Sequence, residues 1–192
     1  LVKAGYSKGV PMGGDLKDSP DGKAPSFLIA AMKDPAGANL DRVQVIKGWL
    51  GADGKTREKI YDVKWAGDRK PGANGKLPPV GNTVDLKTAT YSNSIGAPEL
   101  IARWTDPDFD PKAKAVYYVR VLEIPTPRWT AYDAVRFKVA MPAKVTMTHQ
   151  ERAFTSPIWF DPAGSNVATA VAIRGPAHAV AAPKPSLIEG MD

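Results

Sequence analysis

The feature that most constrains the fold of this chain is a pair of alternating runs joined by a turn. The first run places four residues on one side of an extended chain: Val43, Val45, Lys47 and Trp49. The return run does the same with Tyr61, Val63 and Trp65. β-Branched and aromatic residues at alternate positions favour strands, and the intervening Gly51-Ala52-Asp53-Gly54 is typical of a turn. The two runs therefore predict an antiparallel hairpin that contributes Trp49 and Trp65 to the core.

Other segments of the chain also predict strands. Ser26–Lys33 carries apolar residues on both sides, which is typical of a strand covered on both faces. The strongest alternation lies in Ala113–Glu123. Ala97–Trp104 is a predicted edge strand, because Pro98 lies near the start of that segment. Shorter or weaker runs lie at 83–90 and 167–173. Between them, the segment 67–82 is rich in Pro and Gly and predicts a long loop.

Composition agrees with a β-rich fold. The chain contains 18 Pro and 17 Gly among 192 residues, which argues against a helix bundle, and no convincing amphipathic helix is predicted. We expect a mainly β protein, an antiparallel immunoglobulin-like β-sandwich with long Pro/Gly-rich loops. Residues 1–24 are predicted to be an irregular lead-in, residues 25–162 the sandwich, and residues 163–192 an Ala/Pro-rich C-terminal segment.

Charge and residue types exclude several classes of function. Lys and Arg number 26 against 20 Asp and Glu, a net charge of +6, but the basic residues are scattered, which argues against nucleic-acid binding. No apolar run is long enough for a bilayer span, and no signal peptide is predicted. The absence of Cys excludes disulfides and thiolate metal sites. It leaves the compartment open, so an exported or periplasmic location remains an alternative.

Two patterns resemble hydrolase machinery without its context. Gly5-Tyr6-Ser7-Lys8-Gly9 matches the nucleophile elbow of serine hydrolases. That elbow lies between a strand and a helix, and neither is predicted here, so the pattern indicates a glycine-rich loop. His149 and His178 are too few, and too far apart in sequence, for a metal centre built mainly on histidine. The chain alone is therefore predicted to hold no catalytic metal and to lack hydrolase activity.

Three aspartates at alternate positions, Asp106, Asp108 and Asp110, are spaced like the first ligands of a calcium loop. The sixth position of such a loop needs Gly and the twelfth needs Glu, but the chain has Pro111 and Tyr117 there. The pattern therefore favours turns capped by aspartate and stiffened by proline.

A cluster after the strongest strand is the candidate ligand site or interface. Pro125 and Pro127 are predicted to hold the chain extended and without ladder hydrogen bonds, so that Arg128 and Trp129 project from a stiff segment. Guanidinium groups bind phosphate or carboxylate in two-point contacts, and Trp offers a flat stacking surface. The alternative is an internal network of Arg with Glu and Asp that fastens the segment to the sheet. The candidate residues are Arg120, Glu123, Arg128, Trp129 and Asp133.

Four segments occur in the order and separation of a known family: Gly5–Leu16, Leu40–Trp49, Tyr117–Trp129 and Gln150–Trp159. Over about residues 4–162 the chain resembles the C-terminal part of the family called domain of unknown function 3604. Its members are larger proteins whose preceding region looks like a polymerase-and-histidinol-phosphatase (PHP) metallohydrolase domain with His and Asp metal ligands. The resemblance implies that this chain is a C-terminal piece and that a divalent metal is held in the preceding region.

Two functions follow as expectations. In the first, the chain is the accessory β-domain of a metal-dependent, phosphoesterase-like hydrolase, and its partner is the N-terminal catalytic region, whose cleft Arg128 or Trp129 helps to shape. In the second, it is a non-catalytic β-sandwich that binds a ligand or another protein. A large apolar face around Gly5–Leu16 would favour the first, and an exposed surface around Trp129 would favour the second.

Overall fold

The computed structural model describes residues 2–17 and 19–162. Its elements in chain order are α1 (Val2–Lys8), β1 (Asp15–Leu16), a 3₁₀ helix (Pro20–Gly22), β2 (Ser26–Met32), β3 (Leu40–Leu50), β4 (Thr56–Trp65), β5 (Glu99–Thr105), β6 (Ala115–Glu123), β7 (Thr126–Pro127), α2 (Trp129–Phe137), β8 (Thr148–His149), β9 (Arg152–Phe154) and β10 (Ile158–Phe160). Strands dominate, which confirms the predicted mainly β class. Neither helix is long and apolar enough to cross a membrane.

Most strands belong to one sheet with the order β1-β10-β6-β3-β4, in which β9 also pairs with β6. The predicted hairpin is confirmed as β3 and β4, with Val45 opposite Tyr61 and a register shift between Val43 and Gln44. All pairs in this sheet are antiparallel except β1 with β10. Two smaller antiparallel sheets, β2 with β5 and β7 with β8, complete the described fold.

The core lies between the main sheet and the β2–β5 sheet. Buried side chains from both sheets form it, among them Phe27, Ile29, Val43, Val45, Leu100 and Tyr117. The rings of Phe27 and Tyr117 are 4.8 Å apart and link the two layers. Trp49 packs against this core as predicted. Trp65 is half-buried, and its Nε1 donates a hydrogen bond to the Arg69 carbonyl at 2.7 Å. The immunoglobulin-like arrangement stays a prediction.

The prediction that β2 is covered on both faces is wrong. Phe27 and Ile29 are buried, whereas Leu28 and Met32 on the other face are 49% and 78% exposed. The cause is position: β2 pairs only with β5 among the described strands, and this two-stranded sheet forms the outer layer. An alternating burial pattern results although the sequence is apolar on both sides.

Three further expectations also need correction. The lead-in contains α1 and β1, and β1 belongs to the main sheet. The segment 83–90 forms only one bridge, Asp85 with Thr90. A helix, α2, stands where none was predicted. The predicted loop at 67–82 is confirmed, and the weak run at 167–173 lies outside the described residues.

Helix α2 forms because its inward side is small and polar enough to fit against β7 and the chain before β8. Thr130 and Ala131 are its buried residues, and the Thr130 hydroxyl donates to the Thr146 carbonyl at 2.6 Å. The helix ends at Phe137, and the next residue, Lys138, has a left-handed φ of 53°. The apolar residues of the helix instead face outward, so its amphipathic pattern does not point to the core.

Candidate functional site

A buried ion pair anchors one end of the core. Lys47 occupies the apolar side of β3 and is 3% exposed, and Asp106, just after β5, is 2% exposed. Their Nζ and Oδ2 atoms are 2.6 Å apart, and Nζ also donates to the Asp108 carbonyl at 2.7 Å. The Tyr117 hydroxyl donates to Asp106 Oδ2 at 2.8 Å. An unpaired buried charge is costly, so these partners explain how a lysine is accommodated in the core.

A second, more exposed set repeats the same chemistry beside it. Lys59 lies opposite Lys47 on β4. Its Nζ is 2.5 Å from Asp108 Oδ2, and the Tyr61 hydroxyl donates to the same oxygen at 2.7 Å. These two hydrogen bonds hold the pKa of Asp108 below its usual value. Together the two lysine–aspartate–tyrosine sets fix the segment after β5 against the main sheet.

A pocket of about 500 Å³ opens between this segment and the end of the β3–β4 hairpin. Trp49 lines it, as do Asp53 and Arg57, which form two parallel contacts of 3.0 Å each. A Cβ at Gly51 would lie 1.4 Å from the Arg57 Nη1 atom, so a larger residue there would displace the guanidinium from this position. The hairpin turn thus holds a planar ion pair at the pocket edge. We call this cavity the Trp49 pocket.

The tyrosines of these sets give a prediction about alkaline pH. Burial and the hydrogen bond to Asp106 raise the pKa of Tyr117. In the unfolded chain tyrosine ionises at about pH 10, so above that pH the unfolded state releases a proton that the native state keeps. We expect the free energy of unfolding to fall as the pH rises above about 10. Urea unfolding from about pH 8 to about pH 11 should show a shallower fall for Tyr117→Phe. Equal slopes in the two proteins would contradict this assignment.

Another buried carboxylate, Asp41, has a structural role. Its oxygens accept hydrogen bonds from Arg42 Nε at 3.0 Å, Arg69 NH2 at 2.6 Å and Gln150 Nε2 at 3.0 Å. Arg69 belongs to the long loop and Gln150 to the segment before β9, so Asp41 ties both to β3. No buried side-chain polar atom of the described residues lacks a partner. This cluster is therefore complete without a ligand.

The predicted site residues on β6 have internal partners. Arg120 Nε donates to Gln44 Oε1 at 2.8 Å, on the face of the main sheet away from the core. Glu123 ends β6, and its carbonyl accepts from Gln150 Nε2 at 2.8 Å. Burial, and then the charge of Glu151, raises the pKa of the Glu123 carboxyl. Arg120 thus takes part in a hydrogen-bond network, while the Glu123 side chain is half-buried at the strand end.

The remaining three predicted residues gather at α2. The expected extended segment without ladder hydrogen bonds is wrong: β7 pairs with β8, the Arg128 N–H donates to the Met147 carbonyl at 2.9 Å, and Trp129 begins the helix. Trp129 is 62% exposed. Within residues 2–17 and 19–162, Arg128 and Asp133 make no side-chain hydrogen bond or ion pair. The structure therefore separates the five candidates into a β6 pair and an α2 group.

Among the exposed large apolar side chains of the described residues, two groups are relevant to docking. The α2 surface consists of Trp129, Tyr132, Val135, Phe137 and Val139. The β2–β5 outer face exposes the apolar residues Leu28, Met32 and Ile101, with Ala30 opposite Ile101. It also carries two exposed charged residues, Arg103 opposite Leu28 and Glu99 opposite Met32. Helix α1 borders this second face, because a Cβ on Gly5 would lie 3.8 Å from Leu28. Groups of exposed apolar residues are typical of interaction sites.

The described residues do not form a metal centre. No group of three or more His, Asp or Glu among them is arranged to hold an ion. His149 Nε2 lies 3.0 Å from a Glu151 oxygen, and His178 lies outside the described residues. Asp106 and Asp110 accept the N–H of the residue two positions later, each at 2.9 Å, which confirms the predicted aspartate-capped turns.

The serine-hydrolase pattern is also placed by the structure. Ser7 lies inside α1, so the expected glycine-rich loop is wrong. It is the sixth residue of that helix, whereas the nucleophile of an elbow stands at the sharp turn that leads into a helix.

Comparison with known protein families identifies the family of this chain. The family model described as protein of unknown function (DUF3604) matches residues 1–162. The chain belongs to this family. No curated protein and no solved structure matches the DUF3604 chain. The resemblance inferred from the four sequence segments is thereby confirmed at the level of the family.

Sequence reasoning missed the Lys47–Asp106 pair in this DUF3604 protein. One signal was present: Lys47 shares a side of the strand with Val43, Val45 and Trp49. A lysine in that position needs a buried acidic partner. Nothing in the local spacing identifies Asp106 as that partner, because the two residues meet only when the β2–β5 sheet packs on the main sheet.

Proposed function

We propose that this chain is a non-catalytic accessory β-domain of a larger metal-dependent, phosphoesterase-like hydrolase, and that it packs against the catalytic region. The observation that supports this is the β2–β5 outer face. Leu28 and Ile101 expose about half of their surface there and Met32 exposes more, and Tyr6 of the bordering α1 is exposed too. Strand β2 carries apolar residues on both faces, which suits a strand that lies between two hydrophobic layers, and Glu99 and Arg103 of β5 add charged groups at the outer face. One layer is the described core, and the other is the proposed partner.

The carboxylates of this chain support a structural role for the domain, with the metal bound by the catalytic region. Asp106, Asp108 and Asp41 are engaged by lysine or arginine, so these carboxylates serve the fold. In the proposed protein the divalent metal would bind to residues of the catalytic region. This domain contributes a rigid wall that shapes the cleft.

The proposal is tested by hydroxyl-radical footprinting of the longer natural protein and of this chain alone. Met32 is 78% exposed in the chain, and methionine oxidises readily. We expect Met32 to be oxidised several times more slowly in the longer protein, because the catalytic region covers it. The control is Phe154 of β9, which is exposed on the face of the main sheet away from the core and should react equally in both proteins. Equal oxidation of Met32 in the two proteins would refute the accessory-domain proposal.

A second function, a protein-interaction module, is favoured by the α2 surface. The helix is held through its small buried residues while Trp129 and Phe137 are each 62% exposed. Arg128 beside them has no side-chain partner among the described residues, so its guanidinium is available for a carboxylate of another protein. In the same footprinting experiment, protection of Met32 with unchanged Trp129 supports the accessory domain. Slow oxidation of Trp129 in the longer protein would show that the α2 surface is covered by another region of the same chain, and would contradict the interaction module.

A further inference from the structure

The Trp49 pocket has the dimensions and the walls of a small-ligand site. Its volume of about 500 Å³ falls within the range of such sites. Trp49 supplies an aromatic wall, and the Asp53–Arg57 pair, Asp108 and Asp110 are also among the lining residues. An aromatic wall together with several hydrogen-bonding groups is a combination that recognises molecules with both apolar and polar faces.

The aromatic wall is fixed before any ligand arrives. Trp49 packs against the core with one part of its surface and lines the pocket with another. The Lys47 ammonium lies 5.3 Å from the centre of the indole ring, and that ammonium is itself held by Asp106. The ring therefore needs little ordering to serve as a stacking surface, which favours affinity.

The charges around the pocket are paired with one another. Lys47 is paired with Asp106, Lys59 with Asp108, and Arg57 with Asp53. Asp110 is the additional acid in the lining. A site whose cations and anions compensate each other offers many hydrogen-bonding positions with little net charge. Such a site suits a neutral ligand that carries several hydroxyl groups better than it suits a phosphate or an ammonium ion.

Hydrogen-bonding capacity remains on these paired groups. Asp108 uses Oδ2 for Lys59 and Tyr61, and its Oδ1 is left to accept from a ligand hydroxyl. Asp110 uses Oδ1 for the Lys112 N–H, which leaves Oδ2. Arg57 has five N–H donors, of which the contacts to Asp53 use two. Both acceptors and donors therefore line the pocket together with Trp49.

We infer that the Trp49 pocket binds a neutral saccharide. A pyranose ring stacks its C–H face on Trp49, its hydroxyls donate to Asp108 and Asp110, and one ring or hydroxyl oxygen accepts from Arg57. This binding site is independent of the proposed docking of the β2–β5 outer face, since the residues that line it are different.

The inference is tested on the full chain with cellobiose as the probe. Labelling the five tryptophans with ¹⁵N gives an indole signal for each. We expect cellobiose to shift the Trp49 signal with a dissociation constant of about 1 mM and to leave Trp129 unchanged. Asp110→Asn alters an exposed acceptor without opening the core, and it should weaken binding about tenfold. Trp129→Ala is the matched control and should bind with wild-type affinity.

Three results would overturn the inference. The first is an unshifted Trp49 signal at cellobiose concentrations of about 20 mM, well above the expected dissociation constant. The second is a shift of all five indole signals together, which would indicate a nonspecific effect of cellobiose on the solvent. The third is tighter binding of choline or inorganic phosphate at this pocket, which would show that the site selects charge instead of a neutral saccharide.

Discussion

Replacing Asp106 with asparagine should lower the free energy of unfolding by about 3–5 kcal/mol, the cost of removing one partner from a buried ion pair. The reason is the position of Lys47, which is 3% exposed and has its charge balanced by Asp106 at 2.6 Å. In Asp106→Asn the ammonium either remains as an uncompensated buried charge or gives up its proton, and both cost free energy. Urea unfolding at neutral pH measures the loss.

Asp108→Asn is the matched control for this prediction. Asp108 also binds a lysine, but that pair is about half-exposed, and exposed ion pairs contribute only about 0–1 kcal/mol. Lys47→Met combined with Asp106→Asn should recover part of the loss, because no unpaired charge remains. Equal and small losses for Asp106→Asn and Asp108→Asn would show that Lys47 is not held by Asp106.

Gly96→Ala should destabilise the fold by about 2–5 kcal/mol, from the sum of left-handed strain and overpacking. Gly96 has a φ of +79°, and a Cβ there would lie 2.7 Å from both Asn39 Cβ and Ile124 Cγ2. Ile124 is fully buried, so it cannot move aside into solvent. The substitution therefore strains the backbone and overfills the packing between the chain before β5 and the end of β6.

Gly54→Ala separates these two causes. Gly54 has a similar φ of +73°, but nothing lies within 4 Å of the added carbon. Gly54→Ala should lower the free energy of unfolding only by the cost of the left-handed backbone, about 1–2 kcal/mol. Thermal unfolding of both variants gives the comparison. If Gly54→Ala is as damaging as Gly96→Ala, the tight packing at Gly96 contributes nothing.

The strands with regular alternation were predictable because their pattern is local. Val45 and Tyr61 fall opposite each other as the sequence indicates, and β6 follows the strong run that ends at Glu123. Strand β2 shows the limit: its sequence is apolar on both sides, so only the layer order decides that Leu28 faces outward. The order of strands in the sheet is likewise set by non-local pairing.

Helix α2 was missed for a different reason. Pro125 and Pro127 stop the preceding ladder, and an extended continuation was the simplest expectation. The signal for a helix was the spacing of Trp129, Tyr132 and Arg136, but this pattern describes an outward face. A helix is usually recognised by an apolar stripe that packs on the core. The apolar residues of α2 face outward instead, so the α2 surface could be found only from the structure.

The pairing of the first strand with the last described one has a consequence for how this protein folds. Asp15 pairs with Trp159 and Leu16 with Phe160, in parallel. The β3–β4 hairpin closes a short loop, whereas β1 must wait for β10 to join β6, and long closures cost more chain entropy. Until β1 arrives, β10 is an open edge with unpaired N–H and C=O groups. A molecule in which β1 has not yet paired therefore presents this edge to a second molecule, and in the folded protein Asp15 and Leu16 cover it.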